Sequence, residues 1–299
     1  MDVGLVRGAG AVWLVTRRLR YDLLAVAALA AIMAWRSDGI RVPGAAGLVG
    51  VLGAVVSLLL AFRVRNSYSR WWNARTLWGG VVANCRSFGH VLTTVDDGSP
   101  EMARVIERMR RRQVRHAWRL AAELRGGPVS PGESPEVLRL TPGDPVEATA
   151  GELLVRQAAE ARDLCQAGHI ESRARSMLMV ANNTQTASVG ALESLRDELF
   201  PRHYALFIRS LAWIFGILVC AAAAQAGGRP GVAVGVLVMA LFVVAERLCQ
   251  LIEEPLGRSA FALPMDRFCA VVTADLLGPD HPLAGPREQD SAAPRWHDR

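Results

Sequence analysis

Two basic side chains and a carboxylate lie where the chain is otherwise apolar enough to be buried in a bilayer: Arg209 within residues 205–226, and Glu246 with Arg247 within residues 232–252. A charge in such a segment must pair, line an ion pathway, or reach the interface. Counted from Gly228, Arg209 and Glu246 are nearly equidistant, which sets them at matched depth in an antiparallel hairpin. The spacing predicts that they pair or share a polar neighbour, the alternative being two side chains that snorkel independently. A second concentration follows the apolar run 42–62, where Arg63, Arg65, Arg70 and Arg75 alternate with Tyr68, Trp71, Trp72 and Trp78. Cations mixed with aromatic rings are the composition of a membrane's cytoplasmic face.

Groups suited to catalysis or metal binding are scattered. The histidines, at 90, 116, 169, 203, 281 and 297, show no HExxH spacing, and the chain has no P-loop, no GxGxxG and no Gly-x-Ser-x-Gly elbow. Neither an enzyme nor a metal or cofactor site is expected. Cys85, Cys165, Cys220, Cys249 and Cys269 form no CxxC pair and read as reduced, buried thiols. The net charge of +6 is carried by arginine alone, as the chain has no lysine. These arginines flank apolar blocks, so the positive-inside bias accounts for them and a nucleic-acid partner is not expected. With 51% apolar residues gathered towards both ends, the composition is that of a polytopic membrane protein.

No proline falls between Pro43 and Pro100, so the apolar run can continue into the Arg- and Trp-rich stretch as one rod. Residues 42–62 suffice to cross a hydrocarbon core about 30 Å thick at about 1.5 Å per residue. Here Phe62-Arg63, Tyr68-Ser69-Arg70-Trp71-Trp72-Asn73-Ala74-Arg75, Leu77-Trp78-Gly79 and Asn84-Cys85-Arg86 resemble the signature of the bacterial bestrophins, with Asn73 where that pattern usually has Glu. The resemblance implies an all-α membrane protein: four transmembrane helices and a helical cytosolic domain, assembled as a homopentamer around a central pore that passes monovalent ions. On spacing alone, Ala54, Leu58 and Phe62 share one helix face that packing explains as well as a pore does. The resemblance makes them an apolar neck, with Ala54 replacing a bulkier side chain. Gly44, Gly47, Gly50 and Gly53 suit either close helix packing or a wide outer vestibule.

The remaining chain divides accordingly. Residues 1–62 hold the first two membrane helices, the first entered from the cytoplasm behind Arg7, Arg17, Arg18 and Arg20, with no small-residue cleavage site before Arg36, and followed by an external turn at 36–44. Residues 63–203 form the helical cytosolic region. Within it Ser99-Pro100-Glu101 starts a helix rich in arginine, either a solvated face or a basic vestibule surface. An exposed loop rich in Pro and Gly is expected at 126–151, and two amphipathic helices broken near Gly168 follow. By the resemblance a second constriction falls among Ile170, Glu171, Arg173 and Ala174. Residues 204–252 hold the last two membrane helices around Gly227–Gly231, 253–277 a cytosolic packing segment, and 278–299 a disordered tail. Arg258, Ser259, Ala260 and Phe261 stand where animal members carry the acidic calcium clasp, which argues against one here. The expected setting is the inner membrane, with both termini cytoplasmic and the lipid bilayer and sister subunits as partners. Anion conduction is favoured by the arginines. A cation channel of the same family and a non-conducting membrane scaffold are the alternatives.

Overall fold

The computed structural model describes residues 3–35, 44–126, 134–198, 202–257 and 261–285, the side chains of 3–18, 45 and 202 apart, and no strand occurs among them. Eight helices follow in order: α1 Val3–Trp35, α2 Ala45–Thr94, α3 Pro100–Leu124, α4 Pro135–Leu138, α5 Ala150–Gln166, α6 Ser172–Asp197, α7 Arg202–Ile252 and α8 Met265–Leu277. They form two compact units, one of residues 1–71 with 199–255 and 259–261, the other of 72–198 with 256–258 and 262–299. The external turn expected before Gly44, the segment 127–133, residues 199–201, residues 258–260 and the tail from 286 lie outside the described residues.

In the first unit α1 packs along α7, with Val26 and Met33 against Cys220, Ala224, Met239 and Val243. α7 is a hairpin, because its helical geometry is interrupted at Gly227 and at Gly228, whose φ of 56° only glycine adopts freely. The two arms then approach to backbone contact. A methyl group on Gly231 would lie 1.9 Å from the Ala223 carbonyl oxygen, and one on Gly235 would lie 2.7 Å from Cys220 Cα. Small residues at these crossings replace side-chain packing with close approach of the arms.

α2 is the continuous rod that its proline-free sequence predicts. It ends before two local turns in which the Asp96 and Asp97 carboxylates accept from the Gly98 and Ser99 amides. Ser99 then caps α3 by accepting from the Met102 amide at 3.1 Å, with Pro100 in the first turn as expected.

α3 is the central helix of the second unit, contacted by α5, α6 and α8, and is buried on every side from Arg112 to Ala121. Arg112, Arg115 and Arg119 are therefore neither a solvated face nor a vestibule surface. Each is held inside by specific acceptors. Arg112 bonds the Asp144 and Glu160 carboxylates, and Arg119 bonds Glu123 at 2.9 Å. Arg115 donates to the Thr141 hydroxyl at 2.8 Å and to the carbonyls of Thr141, Asp144, Pro145 and Val146. One guanidinium thus gathers the acceptors of an irregular segment that has no sheet or helix to satisfy it. This corrects the expected exposed loop: Val137, Leu140, Thr141, Asp144 and Ala148 are buried. Of the expected disordered tail, residues 278–285 are described, and Leu283 among them is buried.

Amphipathic patterning places α5 and α6 much as expected, broken at Gly168 with φ 77°. Thr149 and Glu152 form a capping box at the start of α5. His116 is enclosed in α3 with its Nδ1 2.9 Å from the Ala150 carbonyl oxygen, and burial holds its pKa down from 6.5 to about 4. The unfolded chain therefore takes up a proton that the folded one refuses between about pH 6.5 and 4. Stability from this group is full above pH 6.5 and is lost as pH falls towards 4, a span of about 3 kcal/mol. Thermal unfolding followed from pH 7.5 to 4.5 will show a declining midpoint, and His116→Asn, which retains a donor near Nδ1, will flatten that decline.

Candidate functional site

Two opposite faces of α2 carry the functional features of the first unit. Val56, Leu60, Arg63 and Ser67, spaced at four, three and four residues, form the buried face. Ala54, Leu58 and Phe62 form an exposed one, Leu58 at 58% and Phe62 at 50% accessible. The stripe expected to make a neck is thus left uncovered by the described residues of its own chain. Of the glycines on the same stretch, only Gly53 is pressed against a neighbour, with Phe215 ring atoms 3.1 Å from a Cβ placed there, while Gly47 and Gly50 face open space.

Behind the exposed stripe, Arg63 is wholly buried. Its Nη1 donates to Glu246 at 2.8 Å, and its Nε and Nη2 grip both oxygens of Glu253 at 2.8 and 3.1 Å. Ser67 adds a bond of 3.2 Å to the same Glu253 carboxylate, and Arg70 donates to the Glu253 carbonyl. On the α1 side, Asp22 accepts from Arg209 at 2.9 Å and from Arg247 at 2.6 Å. Gln250 joins the halves by accepting from Arg247 and donating to Glu246. The cluster therefore ties α1, α2 and both arms of α7 together, with the carboxylates Asp22, Glu246 and Glu253 balanced by Arg63, Arg209 and Arg247.

Arg209 and Glu246 sit in this one network without bonding each other. Asp22 from α1 and Arg63 from α2 are the nearer partners, a preference that spacing along α7 alone could not reveal. Asp22, Gln250 and Glu253 completed the site unforeseen, and Arg247, singled out with Glu246, joins it through Asp22 and Gln250. The signal for Asp22 was present, since it is the one acidic residue between Val3 and Trp35 and a lone carboxylate beside an apolar block requires a cation.

Among the other motif residues, Trp71 and Trp78 are anchors. Trp71 donates to the Phe261 carbonyl at 2.9 Å and stacks with exposed Tyr68 at 6.4 Å between centroids. In the second unit, Trp78 is fully buried and stacks on Phe268 at 6.0 Å. Trp72 is exposed with the Arg75 guanidinium 6.0 Å from its ring centroid, and Gly79 is exposed with open space beside it.

The four residues expected at a second constriction separate. Ile170, 7% exposed, lies in the core with Phe88, Leu92 and Leu178, and Ala174 packs against that core. Glu171, the N-cap of α6, and Arg173 are exposed. Arg173 borders a groove of about 380 Å³ between α2 and α6 together with Asn84, Ser87, Met177 and Val180.

With this geometry in place, the profile of the Bacterial/Fungal Bestrophin protein family matches residues 10–278. The chain belongs to that bestrophin family. It is similar to the voltage-dependent anion channel-forming protein mll4386 of Mesorhizobium japonicum, 25% identical over 250 residues that cover 80% of this chain and 78% of the relative. It is likewise 25% identical over 236 residues to the voltage-dependent anion channel-forming protein YneE of Escherichia coli K12, covering 76% and 74%. In fold it matches the crystal structure of a bacterial bestrophin homologue from Klebsiella pneumoniae, with a TM-score of 0.77 and 22% identity over 88% of this chain and all of that one. The all-helical membrane fold that the motif implied is therefore the fold of this bestrophin.

Removing one partner from a buried ion cluster leaves the others uncompensated, at a cost of about 3–5 kcal/mol. Arg63→Ala will sharply lower the unfolding temperature of the detergent-solubilised protein. Arg63→Lys will recover only part of the loss, because an ammonium cannot grip Glu253 with two donors while reaching Glu246. Unfolding followed by size-exclusion chromatography after heating checks both.

Proposed function

We propose that this bestrophin is a homopentameric channel for small monovalent anions, its neck formed by Ala54, Leu58 and Phe62 of α2. The observation that carries the reading is the two-faced character of α2. One face is anchored through Arg63, and the opposite face exposes a continuous apolar stripe that none of the described residues covers. Five such stripes around an axis make a narrow apolar passage that resists hydrated ions by constriction and dewetting. Ala54 leaves the outer end of that passage wide, and the Leu and Phe rings narrow it inward.

That the relatives are voltage-dependent anion channel-forming proteins favours anions over the cation alternative. The setting consistent with the positive-inside bias is the inner membrane, with Arg65, Arg70 and Arg75 on the cytoplasmic side. Beyond the neck, Glu171 and Arg173 are the exposed candidates for a second ring. The three buried arginines of α3 contribute nothing to an anion pathway, because their charges are already spent on internal acceptors.

Leu58→Ala and Phe62→Ala, made on a solvent-accessible face, will leave the oligomer intact and raise single-channel conductance or resting leak at least about twofold, since an apolar constriction is the barrier. Planar-bilayer recording alongside size-exclusion chromatography makes the test. Unchanged currents from an intact oligomer contradict the neck assignment.

A further inference from the structure

We infer that Arg65 is the residue that selects for anions, as a ring of guanidinium groups at the inner mouth of the neck. The inference rests on the channel reading above and adds to it the source of charge selectivity. Successive residues of a helix turn by about 100° and rise about 1.5 Å, so Arg65, three residues beyond Phe62 and seven beyond Leu58, continues their face about one turn further in. It is exposed, as they are. Arg63, two residues earlier, points to the opposite side into its carboxylate cage, and Arg70 is engaged with the Glu253 carbonyl. Among the described residues Arg65 has neither an ion-pair nor a hydrogen-bonding partner, so its charge is not consumed inside the chain.

The remainder of the helix makes that charge decisive. α2 contains no Asp or Glu in its 50 residues. The neck face beyond Arg65 continues with Ser69, Asn73, Thr76, Ala83 and Ser87, all exposed and uncharged. Asn73, about two turns further along the face, is a neutral amide and supplies no counter-charge. An apolar neck discriminates poorly by sign, whereas a ring of arginines raises the local concentration of anions and repels cations. The ligand class is a hydrated monovalent anion, with chloride as the probe.

The test compares wild-type protein with Arg65→Gln, Arg65→Lys and Arg65→Glu in planar bilayers under a KCl gradient, reading the chloride-to-potassium permeability ratio from the reversal potential. Oligomer integrity is verified by size-exclusion chromatography. Arg65→Gln is expected to lower the ratio at least about fivefold, the scale set by removing close unit charges in water. Arg65→Lys is expected to keep it and Arg65→Glu to move it towards potassium. Wild-type selectivity in both Arg65→Gln and Arg65→Glu overturns the assignment while leaving the channel reading intact. A wild-type protein that passes no current overturns the channel reading and this assignment with it.

Discussion

Everything in the first unit depends on burying Arg63. A guanidinium cannot be left without acceptors in a low-dielectric interior, so α2 can lie against α7 only where Glu246 and Glu253 meet it. That requirement fixes the rotation of α2 about its axis. With Val56, Leu60, Arg63 and Ser67 turned inward, helical periodicity leaves Ala54, Leu58, Phe62 and Arg65 turned outward. The chemistry proposed for one face is thus a consequence of the electrostatics of the other. The same logic ties in α1, whose Asp22 neutralises Arg209 and Arg247 and leaves the cluster balanced.

The second unit solves a comparable problem for a different purpose. α3 is too polar to be a core helix by composition, yet it is central, because three of its arginines have acceptors waiting. Arg112 has two carboxylates, Arg119 has Glu123, and Arg115 has the hydroxyl and carbonyls of an irregular segment. These are structural cations. Burial with satisfied acceptors distinguishes these three arginines of α3 from the exposed Arg65, on which the proposed selectivity rests.

Local signals were legible in the sequence. The absence of proline announced α2, Ser99 and Pro100 announced the start of α3, and Gly227-Gly228 announced the turn in α7. The alternation of cation and aromatic residues after Phe62 carried the family. What could not be read was tertiary partnership. The Pro- and Gly-rich composition of 134–148 resembles a solvated loop until Arg115 is seen holding it. That Ile170 would sit in a core with Phe88 and Leu178 was equally illegible. Spacing paired Arg209 with Glu246, but their partners come from α1 and α2, 187 and 183 residues away. In each instance the deciding atom lies on an element distant in sequence.

The central claim is that the face of α2 opposite Arg63 lines an axial ion path. The most direct measurement is a cryo-EM reconstruction of the purified protein in lipid nanodiscs, read for the position of Leu58 and Phe62 relative to the symmetry axis. The account predicts a closed five-fold ring with both side chains pointing at the axis and the Arg63 cage behind them. A reconstruction in which Leu58 and Phe62 face lipid, or in which the subunits enclose no axial passage, contradicts it.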